Sequence, residues 1–114
     1  MRVFVYGTLR RGHANHVMIE RKYTSFEQVM VKGYRLIHSG GLPYAVPANG
    51  HVIIGEVYTF PEGTESTGML LDDLDWLEGY RGPGRTGNHY NRVEVDANGP
   101  AWMYVSNIHG KSGH

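Results

Sequence analysis

The sequence predicts an α+β domain in which strands and turns predominate, on three observations. Glycine occupies 16 of the 114 positions and charged residues 19%, which suits frequent turns better than a helical bundle. Short runs rich in Val, Ile and Tyr recur along the chain, and helical periodicity is confined to two segments. At this length one domain with a modest core is expected, over residues 1–110, with residues 111–114 as a frayed tail.

The elements follow in order. Val3, Phe4, Val5 and Tyr6 form an apolar run stopped by Gly7, the pattern of a central strand buried on both faces. His13 to Lys22, with Val17, Met18 and Ile19 between polar flanks, reads as a first helix. Val31–His38 and His51–Phe60 read as strands, and Leu42-Pro43-Tyr44-Ala45-Val46-Pro47 between them as an extended connection ending at Asn49-Gly50. Gly68–Glu78 is a second helix, closed by Gly79 where a helix end favours a left-handed residue. Residues 79–88 hold four glycines and a proline and form a loop. Tyr90–Val95 and Ala101–Val105 flank a turn at Asn98-Gly99-Pro100, a final hairpin. Trp76, Trp102 and Phe60 are expected to pack in the core.

Composition narrows the chemistry. Eleven basic residues balance eleven acidic ones, so bulk charge points to neither nucleic acid nor an anionic membrane, and a small neutral or zwitterionic ligand fits. The absence of cysteine excludes disulfides, thiolate catalysis and cysteine-ligated metals, and accords with a cytoplasmic location. Apolar runs are only a few residues long, so neither a membrane span nor a signal peptide is readable. His13 and His16 lack metal-site spacing and a third ligand, and no metal or cofactor is expected. Ser25 and Ser39 sit in no Gly-x-Ser-x-Gly context, and no phosphate-loop motif occurs.

Two local features carry chemistry. On a helical projection at about 100° per residue, Leu70, Leu71, Leu74 and Leu77 share one side and Asp72 and Asp73 fall away from it. Glu78, four residues after Leu74, lies on the apolar stripe. Burial among leucines and the negative end of the helix dipole both raise the pKa of an acid placed there, toward that of a general base and acid. The alternative is a Glu78 that swings into solvent or pairs with Arg81 or Arg85. The second feature is Val5-Tyr6-Gly7-Thr8-Leu9-Arg10-Arg11-Gly12. A glycine exit from a strand exposes consecutive backbone N–H groups that bind an oxyanion or carboxylate. The alternative is a plain strand-to-helix turn with Arg10 and Arg11 solvated.

With these residues in place, the chain resembles the gamma-glutamyl cyclotransferase-like family, most closely its gamma-glutamylamine cyclotransferase branch. Four landmarks carry the resemblance over nearly the whole chain: residues 5–12 with Asn15-His16, then Gly55-Glu56-Val57-Tyr58, Leu74-Asp75-Trp76-Leu77-Glu78-Gly79, and Tyr90-Asn91-Arg92-Val93. The resemblance implies a small mixed β-barrel or strongly curved sheet with flanking helices and a cavity at one end. It also implies a cofactor-free enzyme in which the α-amine of a gamma-glutamyl compound attacks its own gamma-amide carbonyl, giving 5-oxoproline and a released amine. Glu78 is then the general base and acid, and Tyr6, Gly7, Thr8, Leu9 and Tyr90 bind the substrate. One departure stands out: twelve positions separate Glu78 from Tyr90, where the family's spacing is shorter. The glycine-rich insert between them, with Arg81 and Arg85, leaves two other readings open, a non-catalytic small-ligand module and a protein-interaction domain that uses residues 79–88.

Overall fold

A computed structural model describes residues 1–6, 19–20, 22–39, 42–82, 87 and 90–106. Strands β1 (Arg2–Val5), β2 (Ser25–Ser39) and β3 (Leu42–Thr59) precede helix α1 (Glu65–Leu77), and β4 (Tyr90–Asp96) and β5 (Pro100–Ser106) follow it. They form one five-stranded mixed sheet in the order β2-β3-β1-β5-β4. β1 pairs antiparallel with β3 and parallel with β5. The expectation of a central first strand therefore holds, and its side chains are divided between two cores. Phe4 packs with Val31, Ile53, Val57, Val95 and Met103 on one face. Val3 and Val5 pack with Tyr58, Phe60, Leu70, Leu74 and Tyr104 on the other, which α1 covers.

The sheet curls because its two edge strands share a core: Val29 and Val31 of β2 and Val95 of β4 belong to the same apolar cluster. It does not close. Among the described residues no ladder joins β2 to β4, so the strongly curved sheet is the architecture and the barrel expectation is corrected. One helix is described. The helix expected over His13–Lys22 lies mostly outside the described residues; within its described part Ile19 and Glu20 form a turn and Ile19 is buried.

The stretch read as a connection between two strands is strand as well. Residues 42–47 pair with 34–39, and 52–59 pair with 25–32, with the register breaking between Lys32 and Tyr34. Gly33 and Gly50 both take positive φ at that break, so Asn49-Gly50 makes a bulge inside a long hairpin rather than its end. Two prolines are tolerated because Pro43 and Pro47 share the parity of Ala45, whose N–H points away from β2 to the Tyr6 hydroxyl at 3.2 Å.

Helix α1 begins earlier than Gly68 because Thr64 caps it, accepting the Thr67 N–H at 3.1 Å, with Glu65 in the first turn. Leu70 and Leu74 are buried as the periodicity requires. Trp76 does not join the core: it is 78% exposed, because it shares the solvent face with Asp72 and Asp73. Trp102 is half-buried and Phe60 fully buried.

Gly55 fixes the approach of β3 to β1. A Cβ there would lie 2.3 Å from the Val5 carbonyl oxygen and 2.7 Å from the Phe4 ring. Because one of these contacts is backbone, no rotamer change relieves both. Gly55→Ala is expected to lower stability by about 1–3 kcal/mol, measured by urea unfolding. An unchanged midpoint would show that β1 and β3 separate freely at this point.

Candidate active site

The site is built at the end of α1. Glu78 is the C-cap residue, and the chain turns there because Gly79 adopts φ 67°. The Gly79 N–H donates to the Trp76 carbonyl at 3.2 Å and the Tyr80 N–H to the Asp75 carbonyl at 2.8 Å. This pair of bonds is the Schellman closure that satisfies the last helix carbonyls. The Tyr90 N–H then donates to the Glu78 carbonyl at 3.2 Å. Both ends of the insert are thereby tied to the residue that carries the acid.

The Glu78 side chain is directed among tyrosines. Its carboxylate raises the pKa of Tyr6, Tyr90 and Tyr104, in each case as a lesser contribution beside burial. The last residue before the glycine exit, the first residue of β4 and the middle of β5 thus share one electrostatic neighbourhood with the end of α1. Each phenol is bonded elsewhere. Tyr6 Oη donates to the Tyr104 carbonyl and accepts the Ala45 N–H. Tyr90 Oη donates to the Pro43 carbonyl at 2.9 Å, its ring stacked on Tyr44 at 5.0 Å. Tyr104 Oη donates to Asp75 Oδ1 at 2.6 Å.

Asp75 also accepts from Arg92 Nη1 at 2.8 Å. The Arg92 guanidinium lies 4.7 Å from the centre of the Trp102 ring and 5.2 Å from that of Tyr80. This network anchors the last turn of α1 to β4 and β5. On the far side of the helix end an open groove of about 480 Å³ is lined by Asp72, Trp76, Tyr80, Arg81 and Arg92. Glu78 does not line it.

Burial pushes the Glu78 carboxyl up from its ordinary 4.5 to about 7, because a half-buried acid among phenols loses much of the hydration that its charged form needs. An acid of that pKa takes up and returns protons near neutrality. Of the residues assigned from the sequence, Glu78, Tyr6 and Tyr90 come together here. Gly7, Thr8 and Leu9 lie outside the described residues. Tyr104, Asp75 and Arg92 were missed. Asp75 precedes Glu78 by three positions, a spacing that places two residues on neighbouring parts of a helix surface, and that spacing was the available signal. Among the described residues no three His, Asp or Glu side chains are grouped to hold a metal ion, and no helix is long and apolar enough to cross a membrane.

The family model described as gamma-glutamyl cyclotransferase, AIG2-like, matches residues 3–114. The chain belongs to that family. It is 33% identical over 110 residues to the gamma-L-glutamyl-butirosin B gamma-glutamyl cyclotransferase of Niallia circulans, covering 92% of this chain and 66% of that protein. It is 35% identical over 106 residues to the gamma-glutamylcyclotransferase family protein YtfP of Escherichia coli, covering 92% and 81%. The fold matches the crystal structure of the uncharacterized protein PH0828 from Pyrococcus horikoshii with a TM-score of 0.68 at 28% identity, over 93% of this chain and 77% of that one. The solution structure of Escherichia coli YtfP matches with a TM-score of 0.59 at 32% identity, over 94% and 83%.

The raised carboxyl makes a thermodynamic prediction. An acid whose folded pKa lies above its unfolded one stabilises fully below pH 4.5, and that stabilisation is lost as pH rises through about 7. Glu78→Gln does not titrate. Its stability relative to wild type is therefore expected to rise between pH 4.5 and 8, by about 2–3 kcal/mol from 1.36 kcal/mol per unit. Urea unfolding at pH 4.5, 6 and 8 checks this, and a difference that stays constant across the series would contradict it.

Proposed function

We propose that the protein is a gamma-glutamyl cyclotransferase-type enzyme that cyclises a small gamma-glutamyl compound and uses no cofactor. The observation that carries this reading is one half-buried acid, its pKa raised to about 7 by loss of hydration, placed at a capped helix end among Tyr6, Tyr90 and Tyr104. Membership in the family supports the reaction class, and the Niallia circulans relative is named for removing a gamma-glutamyl group. That relative is half as long again as the portion matched here, so its substrate is not carried over.

In the proposed reaction the Glu78 carboxylate removes a proton from the substrate's α-ammonium. The freed amine attacks the gamma-amide carbonyl carbon, forming the ring C–N bond. The gamma-carbon to leaving-nitrogen bond then breaks, and protonated Glu78 returns its proton to that nitrogen. The ring nitrogen gives up its second proton to the released amine, so the products are 5-oxoproline and an amine that leaves as its ammonium ion, and the acid ends as it began. Ring closure is intramolecular, so positioning supplies a large share of the acceleration. The strand exit at Gly7, Thr8 and Leu9 is assigned to the glutamyl carboxylate, through backbone N–H groups.

The test is 5-oxoproline release from a panel of gamma-glutamyl amines and gamma-glutamyl dipeptides. Wild type is expected to release it from at least one, and Glu78→Gln to be slower by about 10²–10⁴-fold, the usual worth of a general base. Equal rates for the two proteins would remove Glu78 from the mechanism. A ligand that stabilises the protein without product would favour the non-catalytic binding module.

A further inference from the structure

We propose that Asp75 is a positioning residue for this site: by holding the Tyr104 proton on its own side, it leaves Glu78 among phenols whose protons are all committed elsewhere. The inference rests on Glu78 being the proton-transferring group, and it assigns a role to a residue that does not itself meet the substrate.

Hydroxyl direction usually has to be inferred, but here the partners decide it. Tyr6 and Tyr90 each face a backbone carbonyl, Tyr104 O and Pro43 O respectively. A carbonyl only accepts, so both phenols must donate to it. A phenol has one proton, and neither has another for Glu78. Tyr6 receives the Ala45 N–H as well, which reinforces its donor direction. Tyr104 is the exception, because its partner is a side chain that could be exchanged. Asp75 Oδ1 accepts the Tyr104 proton at 2.6 Å while Asp75 Oδ2 accepts from Arg92 at 2.8 Å. The guanidinium, held between the Tyr80 and Trp102 rings, keeps that carboxylate in place.

Among the described residues, the groups that feel the Glu78 charge are Tyr6, just past β1, Tyr90 from β4 and Tyr104 from β5. Behind them lie Tyr44 from β3, stacked on Tyr90, and the ion pair of Arg92 from β4 with Asp75 from α1, three residues before Glu78. The three phenols offer Glu78 lone pairs rather than protons. Such surroundings favour the protonated acid over the carboxylate, since hydrogen bonds to the charged form are missing. It also suits a guest that brings protons of its own. An α-ammonium has three N–H donors and meets phenol oxygens as acceptors, whereas a carboxylate at the same place would find no donor among these phenols, whose protons go elsewhere.

The test reads the Glu78 carboxyl directly by carbon-13 NMR titration in four proteins: wild type, Asp75→Asn, Tyr104→Phe and the double variant, with Glu78→Gln to assign the signal. In Asp75→Asn the side-chain amide donates to Tyr104 Oη, which frees the Tyr104 proton to turn toward Glu78. The Glu78 midpoint is expected to fall by about one unit. In the Tyr104→Phe background the same Asp75→Asn change is expected to move it by less than about a third of that. The cycle separates the hydroxyl from the direct loss of a neighbouring negative charge, which also lowers the midpoint but does so in both backgrounds. Equal shifts in the two backgrounds, or no shift in either, would overturn the proposal. If Asp75→Asn does not fold, a wild-type measurement decides: the deuterium isotope shift transmitted from the Tyr104 hydroxyl must appear on the Asp75 carboxyl carbon, and its appearance on Glu78 instead overturns the proposal. None of these readouts uses turnover. Failure of the cyclotransferase reading shows itself separately, as absent 5-oxoproline.

Discussion

The closure of α1 at Glu78 is the interaction on which the rest of the site depends. A helix that ended one residue earlier would release the acid into the insert, and one that continued would carry the chain after Glu78 away from β4 instead of turning it back. Gly79, in the left-handed conformation that costs other residues steric strain, stops the helix with Glu78 still on the apolar stripe. The bond from the Tyr90 N–H to the Glu78 carbonyl then brings the chain back to the same point. The insert leaves and returns at a fixed base, so a long insert is accommodated without displacing the acid, and each doubling of such a loop costs only about 0.6 kcal/mol.

The sheet supplies the opposite wall. Because β1 is central and its alternate side chains serve two cores, the strand is held from both faces, and Tyr6 follows it toward the end of α1. The close approach of β3 at Gly55 brings Ala45, Tyr44 and Pro43 near enough to engage Tyr6 and Tyr90. Tyr6 just past β1, Tyr90 of β4 and Tyr104 of β5 share the environment of one carboxyl. Much of what the fold buries at this end is tyrosine, a residue that fills space and leaves a polar tip needing a partner. Those partners are backbone carbonyls and Asp75, and their identity decides what remains for Glu78.

Periodicity and turn chemistry made much of this legible in the sequence. The central strand, the second helix with its glycine stop, the final hairpin and the unusual position of Glu78 all follow from residue pattern. Asn49-Gly50 misled because a turn signal and a bulge signal are the same dipeptide, and only pairing with β2 distinguishes them. Trp76 misled because size argued for burial while its position beside Asp72 and Asp73 argued against it, and position prevailed. The convergence of Tyr104 and Arg92 is not legible in the sequence, even though Arg92 belongs to one of the four landmarks, since nothing local says that a tyrosine on one strand and an arginine on another meet at the same aspartate. Curvature had the same character: an open, curled sheet and a closed barrel share one alternation pattern, and differ only in whether β2 meets β4.

In the proposed reaction Glu78 is a competent base only above neutrality. The most direct measurement is the pH dependence of kcat/KM for 5-oxoproline formation by the wild-type protein, between pH 5 and 9. An acid limb with its midpoint near 7, where burial places the Glu78 carboxyl, is the predicted result. A limb near the ordinary glutamate value of 4.5, or a profile flat from pH 5 upward, would show that the buried acid is not the group that takes the substrate's proton.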